Sequence, residues 1–100
     1  MKIEKGFYYH YKHDPAEEFN NYAYEVIGTG LHTEDKTETV IYRPLYKNTY
    51  LNSFDYSNRP LDMFTGQVEK DGKTFPRFTK ITDSEIILKL EKVKEEMYGF

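Results

Sequence analysis

A chain of 100 residues and 12.0 kDa has the length for one hydrophobic core and too little for two. With 38% apolar residues and a net charge of only −3 it lacks the signature of intrinsic disorder, and with no cysteine it has no disulfide framework, thiolate metal site or cysteine nucleophile. Ten Tyr and seven Phe with no Trp predict a ring-rich core or pocket, in a small β-rich domain with a partly wet aromatic face.

The opening MKIEKGFYYHYK has no apolar stretch of signal-peptide length, and no run is apolar enough to span a bilayer, so a cytoplasmic protein outside the membrane is expected. Phe7/Tyr9/Tyr11 alternate with Tyr8/His10/Lys12, which predicts a strand with two half-covered faces, ended by His13-Asp14-Pro15. Residues 14–21 read as a polar loop. Tyr22 to His32 is extended again, with Ile27, Thr29 and Leu31 on one side and Val26, Gly28, Gly30 and His32 on the other. The two glycines predict a bulge, a sharp barrel bend or the close approach of another backbone.

Residues 33–37 form a connection of hairpin length into the strand Thr39 to Tyr46, so 22–46 reads as a long hairpin with an edge or bend at Pro44. Residues 47–58 have no periodicity and read as an ordered, aromatic-bearing loop. Pro60 to Phe64 is a helical turn with proline in its first turn. Asp71-Gly72, between Gln67–Lys70 and Lys73–Phe78, is the strongest short hairpin signal in the chain. Thr82 and Glu85 form a capping-box pattern opening a helix over 82–98, with Ile86, Leu90, Val93 and Met97 on one face and Gly99 as its stop. No repeat or linker divides the chain, which reads as one domain over 1–100.

Five blocks carry a resemblance: Gly6 to Lys12, Tyr24 to Gly28 continuing to Glu34, Val40 to Tyr46, Arg59 to Phe64, and Pro76-Arg77-Phe78. In order and spacing they resemble the family labelled domain of unknown function 1653, over roughly residues 5–78. The resemblance implies a compact bacterial domain, an SH3-like β-barrel over about 5–80, and no established biochemical activity. The chain departs from the family pattern at His13 (usually Gly), Gly30 (usually Ala) and Ser57 (usually aromatic). The missing ring at Ser57 alters any stacking surface beside Arg59, with Tyr50, Phe54 or Tyr56 as substitutes. The helix lies outside the resemblance, as an appendage that covers a barrel opening or docks a partner.

All three arginines adjoin proline: Arg43-Pro44, Arg59-Pro60 and Pro76-Arg77. Proline restricts the backbone of the residue before it, and a guanidinium so held suits bidentate binding of carboxylate or phosphate. The bland alternative pairs Arg59 and Arg77 with Glu34, Glu38 or Asp62 as braces. His10 and His13 face opposite sides of a strand and cannot chelate together, so no metal is expected. His10 with His32 and Glu34 is the minimum for acid–base chemistry, and Arg59 or Arg77 supplies a cation for developing charge. The default is a structural network joining His10, Glu34, Tyr42 and Arg77. Gly28-Thr29-Gly30 lacks the rest of a dinucleotide fingerprint, no nucleophile elbow is present, and no cofactor is expected.

The expected function is therefore non-enzymatic recognition of a small anionic, nucleotide-like or single-stranded nucleic-acid ligand through His10, Tyr11, His32, Glu34, Tyr42, Arg59 and Arg77. A small hydrolase or phosphate-handling enzyme using a His/Glu pair is one alternative, and a protein-interaction module is another. Residues 43–80 carry an excess of cations although the whole chain is acidic, which admits a local anionic partner. The apolar stripe of the helix has to be covered, by the barrel in the first reading or by a second copy in a homodimer.

Overall fold

The computed structural model describes residues 3–99; positions 1, 2 and 100 of the expected domain lie outside the described residues. Among the described residues seven strands and two α-helices follow in the order β1 (Gly6–His10), β2 (Ala23–His32), β3 (Thr37–Pro44), β4 (Ser57–Pro60), α1 (Leu61–Phe64), β5 (Gln67–Lys70), β6 (Lys73–Pro76), β7 (Phe78–Lys80) and α2 (Ser84–Tyr98), with a single 3-10 turn, Leu51–Ser53, between β3 and β4. Five strands form one curled antiparallel sheet in the order β4-β3-β2-β1-β7, a half-barrel, and β5-β6 stands apart as a hairpin. No helix among the described residues is long and apolar enough to cross a membrane.

The alternation of β1 sets two cores on opposite faces of this sheet. Tyr8 joins Tyr24, Val26, Val40, Tyr42, Phe64 and Phe78 on the inner face. Phe7 joins Ala23, Leu45, Ile81 and Leu90 on the other, where Ile86, Ile87 and Val93 of α2 pack against it. The stripe of α2 is thus buried in cis, with Leu90 fully enclosed. The helix covers the back of the sheet and not an opening of a barrel.

Between Val26 and Gly28 the β2–β3 register slips, and Ile27 has no partner across the ladder. This bulge is the one the glycines announce, and it reverses parity. Val26 and Thr29 therefore face the same way, as partners of the alternate residues Tyr42 and Val40, so the unbroken alternation expected over 22–32 does not hold. Gly30 lies where a Cβ would sit 3.3 Å from the Thr39 hydroxyl and 3.4 Å from Ile41, which makes side chains, not backbone, the close neighbours.

Several boundaries differ from the sequence pattern for local reasons. β1 ends at His10 because the Lys12 and His13 amides turn back onto the His10 ring and carbonyl. Pro44 ends β3 two residues beyond the last pairing with β4, an edge as expected. The second arm of the Asp71-Gly72 hairpin stops at Pro76, and Phe78 moves to the main sheet opposite His10. Both turn residues have positive φ (54° and 75°), as a type I′ turn requires. Pro60 caps α1 from outside instead of opening its first turn. Asp83, not Thr82, caps α2, accepting from the amides of Glu85 (2.9 Å) and Ile86 (3.3 Å). Gly99 ends the helix in the left-handed region at φ 90°.

Candidate functional site

The inner face of the half-barrel is floored by rings. Phe64 from α1 stacks on Phe78 from β7 at 3.9 Å between centroids, and Tyr24 and Tyr42 meet Phe78 edge-on at 5.8 Å each. The Tyr24 and Tyr46 hydroxyls share a 2.5 Å hydrogen bond. Burial, together with the Tyr46 hydroxyl, drives the Tyr24 phenol well above its ordinary pKa, so the pair stays neutral.

Cations rim this floor. Val40 pairs with Arg59 across β3–β4, which puts Arg59 on the inner face. Its guanidinium lies 5.5 Å from the centre of the Phe78 ring, and its Nε donates to the Tyr42 hydroxyl at 3.3 Å. Arg77 donates from Nε to the Met63 carbonyl at 3.1 Å. Neither arginine takes part in an ion pair among the described residues. Their hydrogen bonds go to neutral acceptors, not to the carboxylates expected to brace them.

His10 faces Phe78 across β1–β7, its ring edge-on at 5.1 Å, and touches Tyr11 (4.5 Å) and Tyr22 (5.7 Å). Burial first, then the charges of Arg59, Lys12 and Arg77, lower its pKa to about 4. Its Nδ1 accepts from the Lys12 amide at 3.2 Å, which leaves the proton of the neutral ring on Nε2. An unfolded histidine protonates near 6.5, so folding releases a proton between the two values. Stability is full above about pH 6.5 and falls as the pH drops towards 4; for a partly exposed ring the loss is on the order of 1–2 kcal/mol. His10→Gln is expected to flatten the melting temperature between pH 7 and pH 4.5, and an unchanged slope would place the titration elsewhere.

Five of the seven predicted site residues, His10, Tyr11, Tyr42, Arg59 and Arg77, come together on this face. His32 and Glu34 do not. His32 pairs with Thr37, three residues along β3 from the partner of Arg59, and alternation turns it to the opposite face. It meets Asp35 at 3.3 Å in the exposed β2–β3 turn that also holds Glu34, and Asp35 is kept ionised by hydrogen bonds from the Thr37 hydroxyl and amide. The expected His10–Glu34 partnership is not formed, and the hydrolase alternative loses the carboxylate it was built on. Nor do Tyr50, Phe54 or Tyr56 replace a ring beside Arg59: Tyr50 and Phe54 pack on each other, Tyr56 lies 6.0 Å from Arg43, and Phe78 takes the place next to Arg59.

Tyr22, Tyr24, Tyr46 and Phe78 belong to the face without having been singled out together. The cross-strand pairs His10–Phe78 and Tyr8–Tyr24 bring Phe78 and Tyr24 there, Tyr22 and Tyr46 join them through ring contacts with His10 and Tyr24, and one strand's sequence does not reveal its partner's register. Arg43 behaves differently from the other arginines. It lies on the back of the sheet, 3.0 Å from Glu25 and 3.9 Å above the Tyr98 ring.

A curled antiparallel half-barrel with a helix on its back and an arginine-rimmed aromatic face in front is the class of protein that fold and site define. Residues 6–80 match the family model described as a protein of unknown function (DUF1653), and the chain belongs to that family. The crystal structure of a DUF1653 protein from Bordetella bronchiseptica is similar, with a TM-score of 0.63 and 25% identity over 79% of this chain and 87% of that one. No curated protein matches the chain. Helix α2 begins beyond the matched residues.

Proposed function

We propose that this is a single-domain, cytoplasmic recognition module of SH3-like barrel type that binds an anionic ligand across His10, Tyr11, Tyr42, Arg59 and Arg77. The barrel reading is supported by a four-strand meander, β1-β2-β3-β4, and by a fifth strand, β7, that returns to pair with β1. The observation that carries the ligand reading is the state of the two arginines. Each is half-buried and held through Nε by a neutral acceptor, with no carboxylate ion pair among the described residues. Orientation is fixed and no described carboxylate forms an ion pair with either guanidinium, an arrangement that an oxyanion completes through the remaining guanidinium donors. The adjoining rings of Tyr11 and Tyr22 suit a planar group attached to that anion.

Thermal unfolding with inorganic pyrophosphate and nucleoside monophosphates tests this. A ligand at a hundred times its dissociation constant is expected to stabilise the wild type by about 2.7 kcal/mol, raising the midpoint by roughly ten degrees. The shift should vanish in a still-folded Arg59→Gln/Arg77→Gln variant. No shift with any anion, or the same shift in the variant, would rule the reading out.

A further inference from the structure

We infer that the ligand of this face is single-stranded nucleic acid, which continues from the arginines into a groove beside the β5–β6 hairpin; this rests on the anion-recognition reading above. The floor of the half-barrel is already filled, since Phe64 is fully enclosed and Tyr42 and Phe78 are buried. A ligand therefore lies across the rim, where His10, Tyr11, Arg59 and Arg77 are half-buried. Small molecules gain affinity by being engulfed. A polymer gains it by adding contacts along an open track.

The track is visible from Tyr11 outward. The Tyr11 ring touches His10, its amide donates to the Arg77 carbonyl at 2.9 Å, and its side chain also lines a groove of about 450 Å³. The other walls of that groove are Lys12, Lys70, Asp71, Lys73 and Phe75. The groove is thus lined by three lysines, one aspartate and two aromatic residues, an excess of positive charge.

The hairpin itself points to an anion. Lys70 and Lys73 are direct cross-strand partners, as are Val68 and Phe75, so both lysines and the exposed Phe75 ring share one face. Like charges set directly opposite destabilise a hairpin, so the lysine pair does not serve the local fold, whereas Phe75 steadies it against Val68 while keeping part of its ring exposed. The lysines suit a strand whose phosphates lie between them and whose bases stack on Tyr11 and the open side of Phe75.

Binding of a labelled oligothymidylate of about twelve nucleotides, followed by fluorescence anisotropy over a salt series, tests the inference, with thymidine monophosphate measured in parallel by thermal shift. The oligonucleotide is expected to bind at least tenfold more tightly than the mononucleotide. A Lys70→Gln/Lys73→Gln variant should weaken the oligonucleotide severalfold and reduce the slope of log K against log salt by about 1.4, two phosphates at about 0.7 each. The same variant should leave mononucleotide binding unchanged, whereas Arg59→Gln/Arg77→Gln should abolish both. Equal affinity for the two probes, an unchanged salt slope in the lysine variant, or tighter binding of the oligothymidylate once annealed to its complementary strand would overturn the strand track. In each of those cases arginine-dependent mononucleotide binding still supports the anion site; loss of that dependence would remove both readings.

Discussion

Phe64→Ala is expected to remove about 3–5 kcal/mol of folding free energy, a large part of the 5–15 kcal/mol typical of a domain. Phe64 is fully enclosed, stacked on Phe78 with an interplanar angle of 4° and met edge-on by Tyr8 at 5.7 Å and Tyr42 at 5.4 Å. It is the one buried residue of α1, a four-residue helix too short to hold itself together in water. Truncation opens a cavity and detaches α1 at once, and the Met63 carbonyl that holds Arg77 moves with it. The effect reaches function through Phe78, which sits between Phe64, His10 and Arg59. Urea unfolding followed by tyrosine fluorescence measures the loss, with Phe64→Leu, about 1–2 kcal/mol, as the milder comparison. A loss below about 1 kcal/mol in Phe64→Ala would mean that the neighbouring rings collapse into the space.

The sequence carries this architecture unevenly, and particular residues show why. Asp71-Gly72 and Gly99 are read correctly because a positive φ is a local demand that few residues meet. The stripe Ile86, Leu90, Val93 is equally legible, since helical periodicity needs no partner to be seen. His32 and Glu34 are misplaced by the same logic that finds the bulge. Gly28 marks an irregularity but does not say that Ile27 is the extra residue, and that single residue decides which face everything beyond it occupies. Arg59 is recognisable as restrained by the proline after it, and Arg77 only as adjoining one, yet their acceptors, Tyr42 and Met63, belong to other elements and lie 17 and 14 residues away. The lysine pair of the hairpin is visible in the sequence, and only the neighbouring groove gives it a meaning.

Glu25→Ala is expected to cost about 3–5 kcal/mol and to loosen α2 ahead of the rest of the fold. Glu25 is a buried carboxylate on β2, and it serves two cations. Its Oε1 accepts from Arg43 Nε and Nη2 at 3.0 Å each, and its Oε2 meets Lys94 of α2 at 2.8 Å. The Arg43 guanidinium is pressed on the Tyr98 ring, whose hydroxyl donates to the Pro44 carbonyl at 2.5 Å. Removing the carboxylate leaves Arg43, with a side chain only 12% exposed, charged and unpaired, which is the costly way to break such a pair. Lys94→Ala takes away one half-buried cation and leaves Glu25 paired with Arg43, so its cost should stay near about 1 kcal/mol. These contacts fasten a helix that begins beyond the family match to residues that lie inside it. Hydrogen exchange separates the outcomes: in Glu25→Ala the α2 amides should lose protection while those of β2 and β3 keep theirs. Equal loss throughout would mean that the helix and the half-barrel unfold as one unit, and no loss would mean that Leu90 and its apolar neighbours hold α2 without the ion network.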